Sequence, residues 1–99
     1  MRHVLWSDTA KYDYLEILRY LAVDDPDAAE RVLTTIEATG EALGAFATGH
    51  PGRVSGTYEK SISRLPYVIA YALSGDDKTV EILRVVHTSR DWKPESWPA

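Results

Sequence analysis

Apolar and polar positions follow two different periods along this chain, and the change between them divides it into a helical first half and a strand-rich second half. Met1-Arg2-His3-Val4-Leu5-Trp6 is short, largely apolar and stops at Ser7, the pattern of a first strand. Ser7 then has the chemistry of a helix N-cap, because its hydroxyl accepts a free first-turn amide, and Asp8 complements the helix dipole. Ala10, Tyr14, Ile17, Leu18 and Leu21 fall on one stripe and predict a helix ending near Val23. Asp24-Asp25-Pro26-Asp27 breaks and restarts the pattern, with Asp25 as cap and Pro26 in the first helical position. Ala29, Val32, Leu33, Ile36, Leu43 and Phe46 predict a second amphipathic helix of about five turns. Gly40 lies inside it at a cost of about 1 kcal/mol relative to alanine, which predicts a bend. Helices joined by so short a connection form an antiparallel hairpin.

After Gly49-His50-Pro51-Gly52 the period shortens. Tyr58 to Ser63 alternates loosely, and Leu65-Pro66 is a connector that a central strand would not tolerate. Val68–Leu73 reads as a strand, Ser74-Gly75-Asp76-Asp77 as a turn, and Thr79–His87 as a longer strand. Both strands are almost continuously apolar, which predicts the middle of a sheet covered by the hairpin. The expected order is β-α-α-β-β-β: an α+β fold with the helical hairpin packed on one face of a mostly antiparallel sheet. Residues 1–99 are expected to form one domain, with 93–99 as a C-terminal tail.

Composition narrows the function classes. With no cysteine, disulfides, thiolate chemistry and cysteine-based zinc sites are excluded. No apolar stretch approaches the roughly 20 residues of a membrane span. The N-terminus lacks the apolar core of a signal peptide, so an intracellular, cytoplasmic domain is expected. The net charge is −4 and the pI about 5.2. The first half is acidic: residues 1–52 hold 4 basic and 9 acidic residues, whereas 53–93 hold 7 basic and 5 acidic. A protein that grips nucleic acid carries a domain-wide basic excess, so tight non-specific binding to DNA or RNA is not expected.

Most enzymatic chemistry lacks its parts. No glycine loop precedes a Lys-Ser or Lys-Thr pair, and no Gly-x-Ser-x-Gly turn singles out a nucleophile. His3, His50 and His87 are far apart, and Asp24, Asp25 and Asp27 are accounted for by helix-end chemistry, so neither metal nor cofactor is implied. The stretch Arg84-Val85-Val86-His87-Thr88-Ser89-Arg90-Asp91-Trp92 is the richest. Alternation puts Arg84 opposite His87, and two arginines, an imidazole and an indole at one strand end mark a binding surface. A histidine there can also act as general acid or base toward a phosphodiester. The plainer alternative pairs Arg84 and Arg90 with carboxylates such as Glu59 or Asp91 and uses Trp92 to staple the tail. Arg53 is either a recognition residue or a surface charge. Tyr12, Tyr14, Tyr20, Tyr67 and Tyr71 read as core-edge residues with wet hydroxyls, and Trp97 as a docked residue or a partner anchor.

Taken in order, these residues resemble a known family. Trp6-Ser7, Ala10, Asp13-Tyr14, Ile17, Tyr20-Leu21-Ala22, Pro26, Ala28-Ala29 and Arg31 are similar to the paired helices of the RelE/ParE toxin superfamily. Pro51-Gly52-Arg53, Pro66-Tyr67-Val68-Ile69, Tyr71, and Val80 through His87 with Arg90 and Trp92 resemble its strands. The resemblance implies a cytoplasmic toxin of a type II toxin–antitoxin pair, of the kind that stabilises plasmids. RelE-like members are ribosome-dependent mRNA endonucleases; ParE-like members poison DNA gyrase and cut nothing. RelE-like enzymes are strongly basic, whereas this chain is acidic and has no tyrosine after Arg84, so the ParE-like branch fits better. Tyr58-Glu59-Lys60 stands where many ParE-like sequences have Arg-Glu-Leu, and no role is carried over to Tyr58 or Lys60. The resemblance thus implies a non-enzymatic gyrase inhibitor in a hetero-oligomer with a ParD-like antitoxin. That antitoxin is expected to bind as an extended segment plus a helix along the hairpin groove and sheet edge. Arg53, Arg84, His87, Arg90 and Trp92 form the expected partner and target surface. The alternatives are an mRNA endonuclease using His87 and Arg84, or an inactive member that keeps only antitoxin binding.

Overall fold

Ser7 switches the chain from strand to helix within one residue. Its Oγ accepts the Ala10 amide at 3.0 Å, between strand β1 (His3–Trp6) and helix α1 (Asp8–Ala22). The computed structural model describes residues 1–89, so Arg90, Trp92, Trp97 and the 93–99 tail lie outside the described residues. Asp25 caps α2 (Pro26–Ala42) likewise, its Oδ1 accepting the Ala28 amide at 3.1 Å with Pro26 at the helix start.

α2 ends a turn earlier than the apolar spacing through Phe46 predicts. Leu43 is still buried as the C-cap residue, but Phe46 is 75% exposed. The cause lies at Gly44, whose carbonyl accepts the Arg2 amide at 2.7 Å and whose Cβ, if present, would sit 2.8 Å from the Arg2 carbonyl. The chain leaves the helix to bond with the N-terminal strand. Gly40 has a different role from the expected bend: α2 runs through it to Ala42, and its missing side chain makes room for the Trp6 ring.

The expected strands form with one short addition. β2 (His50–Pro51) pairs with β3 (Tyr58–Ser61), followed by β4 (Tyr67–Leu73) and β5 (Thr79–His87), in the sheet order β1-β5-β4-β3-β2. Pro51 is tolerated because β2 is an edge strand, where the missing N–H has no ladder partner to serve. β4 and β5 are interior, and among the described residues only the β1–β5 pair is parallel. The core joins Ala10 and Ile36 of the helices to Tyr67, Ile69, Tyr71, Val80, Ile82 and Val85 of the sheet.

The pairing of β4 with β5 is irregular at one point. Val80 and Ile82 oppose Leu73 and Tyr71, but a register shift then places Val85 and His87 opposite Ile69 and Tyr67. The odd positions of β4 are matched by even positions of β5 before the shift and by odd ones after it. The bulge therefore carries His87 onto the side of the sheet that Val80 and Ile82 occupy.

Candidate functional site: the groove between the first helix and the last strand

β1 ends at Trp6 opposite Ile82, so the outer edge of β5 beyond that point is met by α1 instead of a strand. Ser7 donates its amide to the Ile82 carbonyl and its hydroxyl to the Leu83 carbonyl, both at 2.9 Å. Asp13 then accepts the Val85 amide at 2.9 Å. Two side chains of the first helical segment thus satisfy backbone groups that a longer β1 would have paired.

Asp13 also holds Arg84. The guanidinium Nε and Nη2 donate to the two carboxylate oxygens at 2.9 and 2.8 Å, a bidentate pair whose side chains are 19% (Arg84) and 8% (Asp13) exposed. Hydrogen bonding to Asp13 raises the Arg84 pKa above its ordinary value, with burial opposing. The plainer alternative, a carboxylate partner for Arg84, holds with a different carboxylate: Asp13 in place of Glu59, Asp91 lying outside the described residues. Register explains it: Glu59 faces Ala70, and Ala70 faces Arg84, which puts Glu59 two strand spacings, roughly 9–10 Å, away. Glu59 instead accepts the Arg53 amide at 2.9 Å, with the Arg53 Nε at 3.5 Å.

Beside the Asp13–Arg84 pair lies a groove of about 870 Å³, walled by Tyr12, Glu16 and Tyr20 of α1 and by Tyr67, His87 and Ser89 at the sheet end. His87 packs edge-on against Tyr67, centroids 5.3 Å apart. Its Nδ1 lies 3.1 Å from the Ser89 amide and 2.7 Å from the Ser89 hydroxyl. An amide can only donate, so Nδ1 is the acceptor, and the neutral ring carries its proton on Nε2. Arg84 and His87 keep the expected alternation, facing Ala70 and Tyr67, yet both border this groove because Arg84 is drawn to α1. Arg53 stands apart on the loop before β3, half-exposed. The structure therefore brings together Arg84 and His87 and leaves Arg53 two strands away.

Three groove residues are not singled out by the sequence pattern. Tyr12 and Tyr20, expected at the core edge, are 64% and 78% exposed. Their spacing of eight puts both on one helix face, away from the Ala10–Ile17 stripe, and that is the signal the sequence offers. Asp13 carries a signal too. A carboxylate within the inward stripe, three after Ala10 and four before Ile17, needs a cation from the sheet. Among the described residues, no cluster of three His, Cys, Asp or Glu is arranged to hold a metal.

The fold is shared with solved structures. A chain of the chromosomal ParDE system from P. aeruginosa superposes with a TM-score of 0.82 at 24% identity, covering 90% of this chain and 98% of that one. A chain of the RelBE2 toxin–antitoxin complex from Mycobacterium tuberculosis gives 0.62 at 25% identity, covering 87% and 96%. Two helices on a five-stranded mixed sheet are thus the α+β architecture of ParDE- and RelBE-type toxins. A protein from Sinorhizobium fredii (strain NBRC 101917 / NGR234), named "Putative toxin Y4kP", is 39% identical over 92 residues, covering 92% of this chain and 93% of that protein. The family model described as ParE toxin of type II toxin-antitoxin system, parDE, matches residues 4–92. The chain belongs to the ParE toxin family.

Proposed function

We propose that this ParE-family toxin inhibits DNA gyrase without cutting nucleic acid itself, acts in the cytoplasm, and is silenced by a ParD-like antitoxin. The observation that carries the non-enzymatic part of this reading is the commitment of Arg84 to Asp13. A nuclease would need a free cation beside the scissile phosphate. Here the Arg84 charge is compensated by a bidentate pair with Asp13. The net charge of −4 supports it further, since a ribosomal RNA surface repels an acidic protein at long range. Arg53, half-exposed, and His87, at the groove wall, are the target-contact residues in this reading; Arg84 positions α1 against β5.

The test is supercoiling by purified gyrase with the antitoxin-free toxin titrated in. Inhibition with accumulation of cleaved DNA is expected, and the His87→Ala variant, which loses one target contact but no catalytic group, should weaken it without abolishing it. Folded protein that leaves supercoiling untouched while cleaving ribosome-bound mRNA in a His87-dependent manner would refute the proposal.

A further inference from the structure

A buried carboxylate calls for a reason, because a charge leaves water at a cost unless partners receive it. Glu59, 6% exposed, is the most deeply buried charged residue among those described. It lies on β3 between Ala70 of β4 and His50 of β2, and its Oε2 meets Arg53 twice. The Arg53 amide donates to that oxygen at 2.9 Å, and the Arg53 Nε lies 3.5 Å from it. Gly52 leaves room for the approach, since a Cβ there would sit 3.2 Å from Glu59 Oε2 and 2.6 Å from Thr57 Oγ1. The turn itself is closed without Glu59. The Gly52 amide donates to the Thr57 carbonyl at 2.9 Å, and the Thr57 hydroxyl and amide donate to the Val54 carbonyl at 2.6 and 3.1 Å. What Glu59 adds to this closed turn falls on Arg53.

From this arrangement we infer that Glu59 is a positioning residue, which fixes the backbone path and side-chain direction of Arg53 before the toxin meets its target. The amide bond sets the backbone at Arg53, and the charge beside Nε steadies the guanidinium where its planar fork leaves the stem. The side chain is still 49% exposed, so it is held and presented at once. An arginine steadied in advance surrenders less rotamer freedom on binding, and the difference appears as potency. The two arginine–carboxylate pairs therefore do different work. Asp13 withdraws Arg84 with a bidentate clasp, whereas Glu59 meets the Arg53 side chain through one oxygen and leaves it at the surface. The inference rests on the reading of Arg53 as a target contact and deepens it by naming the group that prepares that contact.

The experiment compares the native full-length toxin with Arg53→Ala, Glu59→Gln and the double variant. Glutamine keeps the size of Glu59 and an oxygen for the Arg53 amide but removes the charge beside Nε; thermal unfolding checks that the fold is kept. Potency is the intracellular toxin level at which growth stops in cells without antitoxin, which reads the effect whatever the target. Arg53→Ala should raise that level about tenfold and Glu59→Gln about fourfold, while Glu59→Gln added to Arg53→Ala should raise it no further, as for one residue acting through another. Arg53→Lys asks the same question without touching Glu59: it keeps the charge but lacks the Nε–H, and should raise the level about fourfold. Nitrogen-15 relaxation supplies a readout that does not involve the target. The Arg53 Nε order parameter should fall in Glu59→Gln to below about 0.6, while the Thr57 amide stays at about 0.85. An unchanged Nε order parameter, a Glu59→Gln effect of equal size in both backgrounds, or native potency in any single variant would each overturn the inference. Supercoiling by purified gyrase tests the reading beneath it separately: gyrase untouched by the native toxin, with the coupling between positions 53 and 59 intact in growth arrest, sinks only the gyrase reading. Absence of growth arrest by the native toxin sinks both.

Discussion

Replacing Gly40 with alanine should destabilise this protein, although helix propensity alone says the opposite. Gly40 is in the last turn of α2, where alanine is favoured over glycine by about 1 kcal/mol. A Cβ built there would meet Trp6 Cζ2, lie 2.5 Å from Trp6 Cη2 and lie 2.9 Å from Ile82 Cδ1. Carbon atoms pack at about 3.5–4.0 Å, so the overlap with the ring is on the order of 1 Å. The ring has no easy retreat: its Nε1 donates to Glu41 at 3.0 Å, and Tyr14 meets it edge-on with centroids 5.6 Å apart. Overpacking of this kind costs about 1–3 kcal/mol, and a ring held on two sides belongs at the upper end. The net expectation is a loss of about 2 kcal/mol, which for a domain of this size lowers Tm by about 10 °C. Thermal unfolding followed by circular dichroism measures it. The double variant Gly40→Ala with Trp6→Phe supplies the control, because phenylalanine lacks the two offending ring carbons. Measured against Trp6→Phe alone, the alanine should then be neutral or stabilising. If Gly40→Ala raises Tm in the native background, or costs the same in both backgrounds, the close-approach explanation is wrong.

The same geometry makes three other perturbations informative. Asp13→Ala strips Arg84 of its counter-charge and the Val85 amide of its acceptor, and should cost about 3 kcal/mol in urea unfolding; adding Arg84→Met should recover part of that loss. Burial raises the pKa of Tyr71, with the Gly49 amide pulling the other way. A folded-state pKa above the unfolded value means this stability is intact below pH of about 10 and is lost as pH rises through the folded value. Tyr71→Phe should therefore cost about 1 kcal/mol at neutral pH, where Gly49 loses its acceptor, while flattening the fall in stability on the alkaline side. Urea midpoints for both proteins at pH 7 and above pH 10 decide it, and an unchanged alkaline slope would count against the buried phenol. Asp25→Ala removes the α2 cap and should cost about 1 kcal/mol in the same urea assay, with Asp25→Asn close to neutral.

The elements of this protein are decided locally. Ser7 and Asp25 cap their helices with their own side-chain oxygens, Pro26 opens α2, and the two long apolar runs become interior strands because only a covered strand can be apolar throughout. Each of these depends on neighbours within a few residues, so each is legible without the fold. The departures arise where distant segments meet. α2 stops short of Phe46 because Gly44 bonds to Arg2, and the two-residue β2 exists because β3 offers it an edge. The site divides in the same way. Arg84 and His87 stand out as a cation and an imidazole at a strand end, but their partners cannot be read from spacing. Asp13 lies 71 residues from Arg84 in the chain and reaches it only because β1 is too short to cover the β5 edge. His87 reaches the groove only because a bulge shifts the parity of β5 after Ile82. Caps, periods and charge are properties of neighbouring residues, and the sequence determines them by itself. The pairing of a buried arginine and the face on which a histidine emerges depend on contacts closed across the whole chain, and tertiary structure alone decides them.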